Sequence, residues 1–211
     1  MRNDGARLAA VLVNGGTGRP VPGTWSATSE LLADELAARH RDVLFLEVRY
    51  HVKSWNELPS CMADCEAAVE LALDAGAEAC LLVGFSMGGA VSVGIAAHDA
   101  VRGVLGLAPW LPDRLPMDSL RGKGFDVVHG AWDRPLPGVP GVTAASSLAA
   151  FERALDAGSD GIYTLIPRGL HGAAVRSPRG RLVRLPHWRS WVEHVHAALT
   201  RFEAAAADLP A

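Results

Sequence analysis

The sequence predicts an α/β fold: a three-layer, doubly wound, mostly parallel sheet of about six strands, built as one domain over residues 1–211. Three observations carry this. Short β-rich apolar runs alternate with helix-length segments, the pattern of a parallel sheet with helices on both faces. At 211 residues, with 49% hydrophobic and 20% charged content, the chain has an ordinary globular composition and enough apolar material for one core. No internal repeat, long linker or low-complexity tract interrupts the alternation, apart from an alanine-rich stretch at 204–207 that is expected to fray.

The first strand, 8–14, is the run Leu8-Ala9-Ala10-Val11-Leu12-Val13, which empties into Asn14-Gly15-Gly16. A helix over 26–40 follows, then a second strand over 42–50, where Val43-Leu44-Phe45-Leu46 is bulky and apolar as a buried strand should be. A helix over 57–75 leads to strand 78–84, helix 87–98 and strand 101–108. Strand 123–130, helix 143–157, strand 161–167 and helix 187–205 complete the order. Between the last strand and the last helix, apolar pairs flank Ser177-Pro178-Arg179-Gly180, with proline second and glycine fourth, which predicts a small hairpin closed by a type I turn.

The most chemically informative stretch is Gly84-Phe85-Ser86-Met87-Gly88-Gly89, placed between the apolar run Ala79–Val83 and the helical run from Ala90. A serine with glycines at minus two and plus two fits a sharp, strained strand-to-helix turn that side chains at those positions would block, and such a turn lifts the hydroxyl clear of the sheet. The start of the next helix points free N–H groups and its positive end at the same spot, where an oxyanion would be stabilised. Glycine-rich turns of this kind also cradle phosphates, but a Walker loop needs a lysine and a hydroxyl residue after its last glycine, and Gly89 is followed by Ala90-Val91.

A serine nucleophile needs a base and an orienting acid. Strand 123–130 runs through Val127-Val128-His129-Gly130 into a polar turn that carries Asp133, and strand 161–167 is followed by Arg168-Gly169-Leu170-His171-Gly172. Both loops leave the carboxyl ends of their strands, so Ser86, Asp133 and His171 come to one edge, in the chain order serine, acid, histidine.

The glycine-flanked serine, the His-Gly-x-x-Asp stretch and the Gly-x-His-Gly stretch together resemble the α/β-hydrolase superfamily over most of the chain. The resemblance implies that Ser86 attacks an acyl carbonyl, His171 takes and returns the proton, and Asp133 orients the imidazole and stabilises its charged form. It also implies a sheet order of 2-1-3-4-5-6, a minimal form of the fold without the usual first two antiparallel strands. Some members carry the acid after the fourth strand of this count, so Asp113 stands as the alternative acid. Met87 supplies one oxyanion N–H as the residue after the nucleophile; the second is expected from Gly15 or Gly16. His129 precedes the glycine that positions the acid loop, while His187, His194 and His196 fall in the last helix as packing or surface residues.

Many members insert a cap domain after the fourth strand, but here Pro109 to Gly122 is too short for one, so the site is expected to be open. Trp25, Tyr50, His51, Trp55, Met87, Trp110, Leu111 and Trp132 are candidate pocket walls because each sits at or beyond a strand's carboxyl end; aromatic residues there serve equally well as loop anchors. The segments Arg49–Asn56 and Ala108–Pro112 resemble a subgroup of small uncapped bacterial hydrolases described as dienelactone-hydrolase-like. Dienelactone hydrolases proper use cysteine, so Ser86 departs from them and their lactone substrate does not carry over.

A formal net charge of −3 with pI ≈ 6.2 argues against a general nucleic-acid surface, and no apolar run approaches the ~20 residues a membrane helix needs. The run Leu8–Val13 is too short for a signal-peptide core, and three cysteines, Cys61, Cys65 and Cys80, cannot all pair, which points to a reducing, cytoplasmic setting. Cys61 and Cys65 share a helix face without a second ligand pair, so a metal site is not expected there. The expected function is a serine hydrolase acting on a carboxylic ester or thioester, with no metal or organic cofactor. The substrate is a small-molecule or carrier-bound acyl compound; a carrier-acyl thioesterase or acyltransferase, and a non-hydrolytic cyclase or ligand-binding protein, are the alternatives. Arg176, Arg179, Arg181 and Arg184 on the hairpin are either a solvated basic loop or an attractor for an anionic substrate.

Overall fold

A computed structural model describes residues 3, 5–17, 20–135 and 141–207. Its centre is a six-stranded sheet of β1 (Leu8–Val13), β2 (Val43–Glu47), β3 (Ala79–Phe85), β4 (Val101–Leu107), β5 (Gly124–Gly130) and β6 (Tyr163–Ile166). The strand order is β2-β1-β3-β4-β5-β6, the order the family resemblance implies, and every pairing in this sheet is parallel where a mostly parallel sheet is expected.

Successive residues of a strand face opposite sides, so each central strand feeds two cores. Ala9, Val11 and Val13 of β1 fall in one core with residues of α2 (Leu58–Asp74) and α3 (Met87–Ile95), which continues to α4 (Ala144–Asp156) over β5 and β6. Ala10 and Leu12 pack with α1 (Ala27–Leu36) and α5 (Trp188–Ala207), the latter contributing the fully buried Trp191. This burial on both faces is why the strands read as continuous apolar runs. Cys61, Cys65 and Cys80 are buried free thiols of the first core, and burial pushes the Cys65 thiol far up and Cys80 to about 11.

Two helices are anchored by polar contacts that bear on the site. Ser26 caps α1 by accepting from the Ser29 N–H, and Lys123 closes the carboxyl end of α3 by donating to the carbonyls of Ala96, His98 and Val101. A cation there offsets the negative end of the helix whose other end carries Ser86.

Some boundaries differ from expectation. Helix α1 stops at Leu36 rather than residue 40, because Asn3 Nδ2 takes the carbonyls of Ala37, His40 and Val43 while the buried His40 ring bonds Glu203 and His196 of α5. Strand β2 ends at Glu47, where the chain turns away, and Val52–Lys53 forms a two-residue antiparallel ladder with Val21–Pro22 that the sequence does not announce. The stretch 204–207 stays helical to the last described residue, and His187 lies one residue ahead of α5 with φ 64° rather than in it. The hairpin forms as expected from Ala174–Arg176 and Leu182–Arg184, closed by the Gly180 N–H donating to the Ser177 carbonyl at 2.9 Å.

Candidate active site

The loops after β1, β3, β5 and β6 meet at the carboxyl edge of the sheet, where the strand order reverses between β1 and β3. Open α/β sheets bind ligands at such an edge.

Ser86 occupies the turn from β3 to α3 with φ 54° and ψ −118°, a left-handed conformation that non-glycine residues rarely adopt. The flanking glycines make this turn sterically feasible. A Cβ on Gly84 would lie 2.5 Å from the Gly88 carbonyl oxygen, and one on Gly88 would lie 2.1 Å from that of Val13. Ser86 N–H donates to the Leu107 carbonyl at 3.0 Å, and its own carbonyl accepts from Gly89 and Trp110, which ties the turn to β4 and the loop after it. The side chain is partly exposed at the start of α3, whose first N–H groups have no partner within the helix.

The loop after β1 runs against this turn. A Cβ on Gly15 would stand 3.3 Å from the Ser86 Cβ, and one on Gly16 would overlap Met87 Sδ and the Trp55 indole. The loop is staked by the buried Asn14, whose side-chain amide donates to the Val48 carbonyl and whose own carbonyl accepts from the Tyr50 hydroxyl at 2.7 Å.

Asp133 and His171 come together from β5 and β6. His171 Nδ1 lies 2.6 Å from Asp133 Oδ2, and the Asp133 side chain is fully buried while that of His171 is 22% exposed. Gly130 makes this approach possible: a Cβ there would lie 2.5 Å from the Gly169 and Leu170 carbonyl oxygens, and Trp132 N–H donates to Gly169 across the same gap. The histidine loop is then pinned by Thr28 of α1, which accepts from the N–H groups of Ala173 and Ala174 and donates to the Ala174 carbonyl. The His171 ring packs on Phe85, the residue before the serine, with centroids 5.0 Å apart. Burial pushes the Asp133 carboxyl upward, but hydrogen bonds from His129 and His171 outweigh it and hold the group below the ordinary carboxylate range.

The other candidates separate cleanly. Asp113 is exposed, and among the described residues it is held only through its backbone carbonyl, which accepts from Arg153. Asp113→Asn is therefore expected to leave kcat/KM within about threefold of wild type on any substrate turned over, since a solvated carboxylate contributes little to a barrier; a loss comparable to that of Asp133→Asn would move the acid to the earlier loop. Trp55 and Trp110 are half-buried with ring centroids 6.3 Å apart; the Trp110 N–H donates to the Ser86 carbonyl and Trp55 stands over Gly16, so both lie beside the serine turn.

Trp132 is 60% exposed and lines a groove of about 510 Å³ with Ala131, Asp133, Arg134 and Leu170. Trp25 is exposed under the Arg49 guanidinium. Three expected wall residues do not line the site. Tyr50 and Leu111 are 2% and 7% exposed and belong to the core, because each turns inward after its strand, and the exposed His51 is drawn to Asp64 of α2. The Met87 side chain is fully buried beneath Gly16, which leaves its backbone as the part facing the site.

A groove of similar size, about 520 Å³, lies at the opposite end of the strands around Arg102, Gly124, Asp126 and Arg201 and has no serine or histidine in its lining. Of the hairpin arginines, Arg176 pairs with Glu30 and Arg184 with Glu35, both on α1, so half of the expected basic patch is neutralised. Sequence reasoning passes over Phe85, Asn14 and Thr28, since nothing marks a phenylalanine, an asparagine or a threonine as a brace for loops far along the chain.

No protein-family model and no curated protein matches this sequence. Solved structures do match in fold. The chain is 18% identical to a sugar hydrolase, YeeB from Lactococcus lactis, with TM-score 0.70 over 95% of this chain and 91% of that one. It is 15% identical to Est1E from Butyrivibrio proteoclasticus, a structure with ferulic acid bound, with TM-score 0.66 over 94% and 90%. It is also 15% identical to an uncharacterized protein from Bacillus cereus, with TM-score 0.68 over 96% of this chain, and it spans 61% of that protein's length. This chain has the α/β-hydrolase fold, built on a six-stranded parallel sheet flanked by helices.

Proposed function

We propose that this chain is a serine hydrolase that cleaves a carboxylic ester or thioester through an acyl-enzyme. The observation that carries the reading is the strained Ser86 turn at the same sheet edge as a histidine whose Nδ1 is 2.6 Å from a buried carboxylate. In this reading Asp133 accepts a hydrogen bond from the Nδ1–H of His171, which keeps the proton on Nδ1 and leaves Nε2 free to take the Ser86 proton as the hydroxyl attacks. The imidazolium then returns the proton to the leaving alcohol or thiol, and water repeats the sequence on the acyl-enzyme. Met87 N–H and a backbone N–H of Gly15 or Gly16 would hold the oxyanion, in the gap that glycine alone leaves open.

Est1E, whose structure holds ferulic acid, and YeeB, a sugar hydrolase, share this fold and support hydrolysis as the chemistry. The short connection from Ala108 to Lys123, with a single 3-10 turn at Asp118–Leu120, favours an uncovered site and keeps a carrier-bound acyl thioester as the second reading. Comparing p-nitrophenyl esters of graded chain length with matched acyl-thioesters tests the proposal. A burst of one equivalent of released group per protein is the expected result, and the absence of turnover on both series would oppose it.

Hydrogen bonds from the two histidines hold Asp133 below the ordinary carboxylate range, so the acid is already charged near neutral pH and its own titration does not shape the profile there. On this reading kcat/KM rises through one ionisation as pH increases through the histidine range and then levels off. A pH–rate profile that falls there would contradict histidine as the base.

Arg179 and Arg181 stand exposed at the hairpin tip. With their two neighbours already paired to α1, we expect modest steering of anionic substrates: about a threefold loss of kcat/KM for an anionic ester between low and high salt, and none for a neutral one. Changing both arginines to serine should remove that difference; equal salt responses in wild type would leave the tip without this role.

A further inference from the structure

Asp133 is approached by a second imidazole. His129, fully buried at the end of β5, places Nε2 3.2 Å from Asp133 Oδ2 and 2.9 Å from the Val142 carbonyl oxygen. Its Nδ1 is 2.7 Å from Ser147 Oγ on α4, and that hydroxyl is 2.9 Å from the Tyr163 hydroxyl of β6, which donates to the Ala144 carbonyl. Both neighbours of Nε2 are acceptors, so Nε2 must carry a proton; in the neutral ring Nδ1 then accepts from Ser147. The second oxygen of Asp133, Oδ1, is buried without a hydrogen-bond partner among the described residues. Oδ2 thus faces two imidazoles, the Nδ1–H of His171 at 2.6 Å and, at 3.2 Å, the Nε2–H of His129 that the Val142 carbonyl shares.

We propose that His129 is a positioning residue for the catalytic acid, its Nε2–H fixing the orientation and charge of Asp133 so that Oδ2 stays aimed at His171; this rests on the assignment of Ser86, His171 and Asp133 given above. The ionisable groups that face His129 are Asp133, Tyr163 and, across Asp133, His171. An aspartate with one strong acceptor oxygen and two donors is restrained in rotation. Without His129 the carboxylate loses one restraint on its aim, which lowers kcat, and while it still faces His171 its charge, no longer shared with a second donor, holds the His171 proton more tightly.

The test compares wild type, His129→Phe and His129→Gln by kcat and KM on p-nitrophenyl acetate across about pH 5 to 9, with Ser86→Ala in the same assay. The Gln amide can present an N–H where Nε2 stood; Phe has no donor. His129→Phe is expected to lose about tenfold in kcat with little change in KM, with its rising pH limb moved to higher pH, and His129→Gln to recover most of that loss. A folded His129→Phe with wild-type kcat and pH limb, or a Gln variant no better than Phe, overturns the proposal. If His129→Phe does not fold, His129→Asn replaces it, because the shorter amide falls short of Asp133; equal rates for Asn and Gln then count against the role. An inactive Ser86→Ala beside unaffected His129 variants sinks this inference alone, whereas an active Ser86→Ala sinks the reading beneath it. NMR titration of the His171 imidazole needs no substrate: it moves to higher pH in His129→Phe if the two rings are coupled through Asp133 and stays in place if they are not.

Discussion

Replacing Ser86 with alanine should lower kcat by a factor on the order of 10⁵ or more on any ester the wild type turns over, while the fold is retained. The hydroxyl forms the covalent bond of the acyl-enzyme, and no other nucleophile stands at the turn between β3 and α3. Retention of the fold follows from the geometry. The strained φ belongs to the backbone, which is tied by the Leu107, Gly89 and Trp110 hydrogen bonds, and alanine keeps the Cβ that packs near Gly15. Rates measured with unchanged circular dichroism and melting temperature decide the matter. A variant retaining more than about a tenth of the wild-type rate would remove Ser86 from the chemistry.

His171→Ala should be nearly as damaging, and Asp133→Asn clearly less, with a loss of about 10⁴-fold, or ~5.5 kcal/mol of barrier. The ordering comes from what each group does: the imidazole moves the proton, whereas the carboxylate orients it and stabilises its charge. Asparagine in the buried position of Asp133 would also face both imidazoles with an amide, and turning its N–H toward His171 favours the wrong tautomer. Parallel kcat measurements on one ester give the order directly. An Asp133→Asn variant at wild-type rate would leave His171 without a dependent acid.

The sequence carries the fold through features that backbone geometry makes unavoidable. Gly84 and Gly88 are required wherever a serine is placed on this turn, since their missing side chains are what let α3 start against the Val13 carbonyl. The runs of β1 to β5 read as strands because both faces are buried, and alternation with helices then restricts the connections to parallel crossovers. The turn at Ser177–Gly180 is equally plain, because proline and glycine fix its dihedrals locally.

What the sequence conceals are directions and distant partners. Tyr50 and Leu111 sit at strand ends beside residues that do face the site, and nothing in their position says that each turns inward. The hairpin is readable, but its pairing with Glu30 and Glu35 is not, because α1 lies more than a hundred residues earlier. His129 reads as a strand residue before a needed glycine. Its link to Asp133 depends on Ser147 and Tyr163, two ordinary polar residues that only the tertiary fold brings beneath it.

The most direct measurement of the central claim is labelling with a fluorophosphonate, followed by peptide mass spectrometry, on wild type, Ser86→Ala and His171→Ala. The account predicts a single adduct on the Ser86 peptide of the wild type, none at that peptide in Ser86→Ala, and strongly slowed labelling in His171→Ala. An adduct on a different serine, or an unlabelled Ser86 in folded protein that still hydrolyses esters, would contradict it.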